Sequence, residues 1–227
     1  MLWDIDGTLI RTGGIGARAI EAGAAEVGAL VDVPVVPMSG KTDPQILREI
    51  FTAAAMAEDR IVELLPAAVA AVERALARAE AELRRHGSAM PGVVDVLERL
   101  GKEPGVRQSL VTGNLVANAA VKLGAFDLTR HLDVEVGAYG TDHADRNELV
   151  PIALERVARL RGETYDPAEV WVVGDTPRDL ACARAAGVRC LLVATGSTGL
   201  AGVRNIGADA VLADLSEPEE VLEILRS

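Results

Sequence analysis

The feature that most constrains this chain is a pair of carboxylates one residue apart near its start, in Asp4-Ile5-Asp6-Gly7-Thr8. On an extended chain, residues i and i+2 point to the same side, so both carboxylates can face one reacting centre. Gly7 permits a sharp turn that presents backbone N–H groups to an anion, and Thr8 adds a hydroxyl. This arrangement indicates phosphoryl chemistry with a divalent cation. The alternative is an ordinary surface turn, because Asp-Gly is common in hairpins.

The strand that delivers these carboxylates has an unusual length. Only Met1, Leu2 and Trp3 precede Asp4, whereas a buried strand usually has about five or six residues. Either the first strand is short, or the natural chain begins upstream. The sequence leaves both alternatives open.

The composition is that of an ordinary globular protein. Of the 227 residues, 49% are hydrophobic and only 3% aromatic, so we expect a core built mostly from Ala, Val and Leu. The 23 basic and 34 acidic side chains give a formal charge of −11, which argues against nucleic acid or anionic membranes as partners. An anionic substrate is not excluded, because a local cationic pocket with a metal can override the overall charge.

The two cysteines indicate neither a metal site nor a disulfide framework. Cys182 and Cys190 are eight residues apart, in a predicted helix and a predicted strand, and both are expected to be buried. A reducing cytosol is compatible with this. No apolar run of signal-peptide or membrane-spanning type is visible, so a cytoplasmic protein is predicted. Whether it is a monomer or a homodimer stays open.

The order of predicted elements indicates an α/β core with a helical insert. Helical periodicity dominates from Ile15 to His86, with Asp43-Pro44 as a helix start and Gly87 as a stop. Short apolar runs then alternate with amphipathic helices, which is typical of a doubly wound, Rossmann-like parallel sheet. We therefore predict a core of residues 1–14 and 88–227 with an all-helical cap domain, 15–87. Since ligands bind at the carboxyl ends of such strands, an insert at that edge would cover the site.

The individual elements follow from the same patterns. Helices are predicted over 15–30, 46–56, 60–85, 91–100, 115–123, 149–160, 179–186 and 217–225. Strands are predicted over 107–112, 133–138, 170–173, 189–194 and 210–213.

Three later motifs carry groups suited to the same chemistry. The predicted strand 107–112 ends in Thr112-Gly113-Asn114, where a hydroxyl can bind a phosphate oxygen or simply cap the next helix. Another strand ends in Gly174-Asp175, with Asp179 four residues on. Between them lies Arg146, whose planar fork suits a phosphate oxygen and a carboxylate together. Lys122 is the rival cation, although a solvated lysine on an amphipathic helix is the ordinary interpretation.

In order and spacing, these four motifs resemble the signatures of the haloacid dehalogenase-like hydrolases, beginning with D-x-D-G-T-L and ending with G-D-x-x-x-D. The position of the helical insert is similar to that of the subgroup containing phosphoglycolate phosphatases and β-phosphoglucomutases. Only 146 − 112 = 34 residues separate Thr112 from Arg146, which leaves no room for the larger alternative cap.

The resemblance implies a mechanism and a set of site residues. Asp4 would attack phosphorus, and Asp6 would protonate the leaving oxygen and then activate water. Mg²⁺ would be bound by Asp4, Asp6 through its backbone, and Asp175. Asp179 would orient Asp175 or a metal-bound water, or favour the start of its helix. The phosphoryl group would be held by Gly7, Thr8, Thr112, Gly113, Asn114 and Arg146.

The resemblance also ranks the possible activities. Dehalogenases lack the metal-binding carboxylates, and phosphonate-cleaving relatives usually lack the second Asp of the first signature, so both are disfavoured. A phosphatase acting on a small phosphorylated metabolite is preferred; a phosphomutase and a non-catalytic binding protein are the alternatives. Lys41, in a loop expected to descend onto the site, is a candidate for specificity. Arg11 and Thr12 are two more, and they stand where many phosphoglycolate phosphatases carry an acidic residue and a serine.

Overall fold

The computed structural model describes residues 1–196 and 199–226, so Ser197, Thr198 and Ser227 of the predicted core lie outside the described residues. Within that part, six parallel strands form one sheet in the order β5-β4-β1-β6-β7-β8. These strands are β1 (Leu2–Trp3), β4 (Ser109–Thr112), β5 (Ala138–Tyr139), β6 (Trp171–Gly174), β7 (Arg189–Val193) and β8 (Ala210–Leu212). A separate antiparallel pair joins β2 (Ile10–Arg11) to β3 (Ser88–Ala89).

Helices cover both faces of the sheet. They are α5 (Val93–Leu100), α6 (Val116–Ala125), α7 (Leu149–Arg161), α8 (Pro177–Ala185), α9 (Gly199–Val203) and α10 (Pro218–Arg226). Successive strand residues point to opposite faces, so Trp3 and Leu110 belong to one hydrophobic cluster, and Leu2 and Val111 to the other. The predicted doubly wound α/β core is confirmed.

Four helices lie between β2 and β3 in the chain: α1 (Ile15–Gly28), α2 (Asp43–Ala53), α3 (Glu58–Arg78) and α4 (Glu80–His86). We call residues 15–87 the helical insert. It has its own hydrophobic cluster, which includes Phe51 and Val72. α1 packs closely on α3, because a Cβ at Gly23 would lie 2.5 Å from the Val72 side chain. The domain boundaries themselves stay predictions.

Several predicted elements differ from the structure. The strand predicted over 133–138 is a 3₁₀ turn, Val134–Val136, followed by β5, because the Val136 N–H donates to the Asp133 carbonyl three residues earlier and not to a neighbouring strand. The helix predicted over 60–85 is divided at Ala79 into α3 and α4. β1 is short, with only Leu2 and Trp3 paired on both sides. Among the described residues, no helix combines the length and apolar character needed to cross a bilayer.

Candidate active site

A cavity of about 210 Å³ lies between the helical insert and the carboxyl edge of the sheet. Both carboxylates of the first motif line it, together with residues of α1, of the loop before α2 and the start of α2, which includes Asp43, of α6, and of the second and third motifs. A larger groove of about 380 Å³ lies at the amino edge, and within the described residues none of the predicted site residues lines it. The smaller cavity is therefore the candidate active site, since it alone of the two gathers the carboxylates and cations.

Asp4 follows β1 directly and is almost fully buried. Its N–H donates to the Val173 carbonyl at 2.9 Å, which extends the pairing of β1 with β6 by one residue. Its Oδ1 lies 3.0 Å from Arg146 Nη2. Burial raises the pKa of the Asp4 carboxyl, although the neighbouring Arg146 charge acts in the opposite direction. Asp4 is thus a buried carboxylate held against one guanidinium.

Two further carboxylates complete this side of the site. One oxygen atom from each of Asp4, Asp175 and Asp179 lies within 4.8 Å of the other two. Among the described residues, this is the acidic group that is close enough to share a metal ion. Burial raises the pKa of Asp175, and the charges of Asp4 and Asp179 add to the increase. Three carboxylates against the Arg146 guanidinium leave a formal charge of 1 − 3 = −2 in a desolvated space.

The turn after the first motif packs on Asp175. Thr8 is fully buried and its hydroxyl donates to Asp175 Oδ1 at 3.2 Å. Gly7 has a φ of +86°, and a Cβ there would lie 2.5 Å from Asp175 Oδ2. The N–H of Gly7 donates to the Ile10 carbonyl at 2.9 Å. In this structure the Gly7 N–H and the Thr8 hydroxyl are therefore bonded within the protein, and phosphate binding by Gly7 and Thr8 stays a prediction.

Asp179 holds both the helix start and the cation. Its Oδ2 accepts from the Thr176 N–H at 2.9 Å and from the Thr176 hydroxyl at 2.7 Å, forming a capping box at the start of α8. Its Oδ1 pairs with Arg146 Nη2. Burial opposes the charge of Arg146, but the carboxylates of Asp179 and Asp4 raise the pKa of that guanidinium above its ordinary value. Asp179 thereby fixes the cation that faces Asp4.

Asp6 has different surroundings, although it stands only two residues from Asp4. Its Oδ2 accepts from Lys122 Nζ at 2.6 Å and from Asn114 Nδ2 at 2.7 Å. Lys122 also donates to Asn114 Oδ1 at 2.5 Å, which closes a three-membered network. The Asp6 carboxylate is bound by this network and lies outside the three-carboxylate cluster, so it does not join the metal ligands as a side chain. A contribution from its backbone stays a prediction.

The expectation that Lys122 is solvated is wrong. Its side chain is 6% exposed and reaches from α6 into the cavity. A Cβ at Gly16 of the insert would lie 3.2 Å from Lys122 Nζ, so the ammonium fits directly beneath the first turn of α1. The sequence did contain a signal, because Lys122 lies between the buried Ala119 and Leu123 on the apolar face of α6, where an unpaired charge is rare.

The second motif sits at the end of β4, as predicted. Thr112 is fully buried, and its hydroxyl oxygen accepts from Asn114 Nδ2 at 2.8 Å. The Asn114 amide donates to Thr112 and to Asp6 and so links the two residues, and its predicted contact with phosphate stays a prediction. The Gly113 carbonyl accepts from the Asp43 N–H at 2.8 Å, which brings the insert onto the strand end. Phosphate binding by Thr112 and Gly113 stays a prediction.

The three candidates for specificity are not equivalent. Thr12 and Lys41 line the cavity, and Lys41 is paired with Glu49 of α2. Arg11 is exposed and does not line the cavity. Since side chains alternate along a strand, Ile10 of β2 is buried and Arg11 points away. The prediction that Arg11 contacts the substrate is therefore not supported by this structure.

Comparison with known proteins places the chain in one family. The family model described as haloacid dehalogenase-like hydrolase matches residues 1–197. A protein named phosphoglycolate phosphatase, plasmid, from Cupriavidus necator is 31% identical over 217 residues, covering 95% of this chain and 89% of that protein.

Solved structures agree with this in fold. The crystal structure of a hydrolase from Pseudomonas syringae has a TM-score of 0.70 at 19% identity, covering 98% of this chain and 96% of its own. A candidate β-phosphoglucomutase from Bacteroides vulgatus has a TM-score of 0.68 at 17% identity, covering 99% of this chain and 87% of that protein. At these identities the two structures show a shared fold alone.

Proposed function

The chain belongs to the haloacid dehalogenase-like hydrolases and acts on phosphoric monoesters, and we propose that it does so through an aspartyl-phosphate on Asp4 with Mg²⁺ as its metal. The observation that carries the proposal is the placement of Asp4. It is buried at the carboxyl edge of the sheet, it contacts Arg146, and it shares one cavity with Asp6. A nucleophile, a cation and a second carboxylate are the groups that this reaction requires.

The three-carboxylate cluster fits a divalent cation. Its formal charge of −2 is desolvated, and a divalent ion would neutralise it. Carboxylate oxygens are the donors that Mg²⁺ prefers, and Asp4 and Asp175 would supply them because Asp179 is occupied by Arg146 and Thr176. When bound, Mg²⁺ supplies a Lewis acid that offsets the negative charge of the phosphoryl group.

The side chains then divide the reaction between them. A carboxylate oxygen of Asp4 attacks phosphorus, and the bond from phosphorus to the ester oxygen breaks. Asp6 delivers a proton to that oxygen, and in the second half it takes a proton from the water that hydrolyses the aspartyl-phosphate. Arg146 stabilises Asp4 and the equatorial charge of the transferring group. The Thr112 hydroxyl donates a hydrogen bond to a phosphoryl oxygen, since its own oxygen already accepts from Asn114.

The cavity favours a small substrate. A volume of about 210 Å³ between insert and core accommodates a short phosphorylated acid or alcohol. The name of the Cupriavidus necator relative supports a phosphoglycolate-like substrate, with Lys41 and Thr12 as the lining residues that contact the part of the molecule beyond phosphorus. Because Lys41 lines the cavity, we expect Lys41→Ala to raise KM for phosphomonoesters whose alcohol carries a carboxylate more than for those whose alcohol is uncharged.

The direct test is phosphate release from a panel of phosphomonoesters, with Mg²⁺ and with EDTA. We expect metal-dependent release by the natural protein and none by Asp4→Asn, while Asp59→Asn on the exposed surface of α3 serves as the matched control. If Asp4→Asn released phosphate as fast as the natural protein, the assignment of Asp4 as the nucleophile would be wrong. Rearranged sugar phosphate without net release would identify a phosphomutase instead, and no reaction with an intact fold would leave the non-catalytic alternative.

A further inference from the structure

One side chain of the helical insert caps a helix of the core. Asp43 is the first residue of α2 and is buried. Its Oδ2 accepts from the Leu115 N–H at 3.0 Å and from Asn118 Nδ2 at 3.4 Å. Leu115 is the N-cap residue of α6, and α6 has no capping side chain of its own. A carboxylate at this position satisfies an otherwise free N–H and interacts favourably with the helix dipole.

Backbone contacts fix Asp43 in this position. Its own N–H donates to the Gly113 carbonyl at 2.8 Å, and the neighbouring Thr42 hydroxyl donates to the Ala144 carbonyl at 2.6 Å. A Cβ at Gly113 would lie 2.1 Å from the Lys41 carbonyl oxygen, so the segment before α2 and the end of β4 are in direct backbone contact. The Leu115 side chain packs into the hydrophobic cluster of the insert. The start of α2 is therefore seated firmly on the start of α6.

Helix α6 and the residue just before it hold Asp6. Asn114 precedes the helix, Lys122 lies two turns along it, and both donate to Asp6 Oδ2. Burial raises the pKa of Asp43 to about 6, against the effect of the nearby Lys122 charge. Burying this carboxylate is unfavourable because it loses its hydration, and the hydrogen bonds from Leu115 and Asn118 offset part of that loss.

We propose that Asp43 is a positioning residue for the reaction: by capping α6 from the insert, it sets the place of Asn114 and Lys122, and through them the place of Asp6. The inference rests on the proposed function, because it assigns Asp6 the transfer of a proton to the leaving oxygen. Asp43 itself touches neither Asp4 nor Asp6 by any hydrogen bond among the described residues.

A comparison of two substrates separates this role from simple structural support. An alkyl phosphomonoester needs a proton on its leaving oxygen, whereas p-nitrophenyl phosphate releases a stable anion and needs little help. If Asp43 acts through Asp6, Asp43→Ala should lower kcat for the alkyl ester about tenfold and kcat for p-nitrophenyl phosphate much less. Asp43→Asn keeps an acceptor for the Leu115 N–H and should retain near-natural values for both.

The controls make each outcome decisive. Thr52→Ala, on the same helix, removes a hydroxyl that bonds only the Arg48 carbonyl and should change neither substrate. If Asp43→Ala does not fold, Asp43→Glu, which moves the carboxylate by one methylene, replaces it in the comparison. Equal losses for both substrates, no loss for either, or a loss in Asp43→Asn as large as in Asp43→Ala would overturn the inference. If the natural protein hydrolyses neither ester, the proposed function fails instead.

Discussion

The two carboxylates of the first motif are two residues apart, yet they lie in opposite surroundings. The Asp4 side consists of Asp4, Asp175, Asp179 and Arg146, and the Asp4 side chain is 6% exposed. The Asp6 side consists of Asp6, Asn114 and Lys122, and the Asp6 side chain is 42% exposed. On the Asp4 side, three carboxylates share the single cation Arg146. On the Asp6 side, one carboxylate is paired with one cation, Lys122.

The difference explains how neighbouring residues can take different roles. The strand geometry points both carboxylates toward the cavity, but it does nothing to distinguish them. The distinction comes from other elements: the excess negative charge on the Asp4 side calls for a divalent ion, whereas the Asp6 side is already balanced by Lys122. This division agrees with the proposed roles, in which Asp4 is the nucleophile beside a metal and Asp6 carries the proton.

Of the substitutions that separate the two sides, the one that removes the proposed proton carrier, Asp6, should have the largest effect. Asp6→Asn keeps an acceptor for Lys122, so the fold should persist, but it cannot exchange a proton. We expect kcat for an alkyl phosphomonoester to fall by about 10²–10⁴. The loss should be smaller for p-nitrophenyl phosphate, whose leaving group needs no proton. Steady-state kinetics with both substrates measures the two losses, and the surface variant Asp59→Asn is the control. An equal loss of kcat for both substrates would count against Asp6 as the proton carrier.

The next effect concerns the cation on the Asp4 side. Arg146→Met leaves three buried carboxylates without their partner, and we expect a loss of about 3–5 kcal/mol in the free energy of unfolding in EDTA. The deficit should shrink in Mg²⁺, because the metal replaces part of the missing charge. Denaturant unfolding in both conditions tests this, with the exposed Arg85→Met as control. A deficit that is independent of Mg²⁺ would contradict the expected compensation of the missing charge by the metal.

The smallest effect is expected on the Asp6 side. Lys122→Met fills similar volume without the charge and leaves Asn114 as the remaining donor to Asp6. We expect kcat for the alkyl ester to fall about tenfold, while the apparent Mg²⁺ affinity stays close to natural. Lys102→Met, at an exposed position, is the matched control. If Lys122→Met weakened Mg²⁺ binding instead, the two sides would not be independent.

The sequence predicted the Asp4 side well because its parts lie in short local motifs. Asp4 and Asp175 each follow an apolar strand, and the carboxyl ends of parallel strands meet at one edge. Arg146, the cation favoured between the second and fourth motifs, contacts Asp4, and its choice over Lys122 for the role of the third motif stays a prediction. These residues could be found because sequence neighbours reveal the strand end on which each one stands.

The Asp6 side could not be predicted in the same way. Lys122 reaches Asp6 across 116 positions of sequence, and Asp43 reaches Leu115 across 72. Such contacts depend on how α6 packs against the insert, which periodicity does not specify. The outward direction of the Arg11 side chain could not be predicted either, since the alternation of a two-residue strand cannot be read from so short a segment. Local motifs predicted the carboxylates proposed to react, whereas tertiary packing determines which side chains surround them.

The central claim is that Asp4 carries the phosphoryl group, and trapping that intermediate tests it most directly. The protein would be mixed with substrate and Mg²⁺, quenched in acid, and reduced with borohydride, which converts an aspartyl-phosphate to homoserine. Peptide mass mapping should find homoserine at position 4, and only when both substrate and Mg²⁺ were present. Homoserine at another aspartate, or none during demonstrated turnover under conditions that trap a known acyl phosphate, would contradict the account.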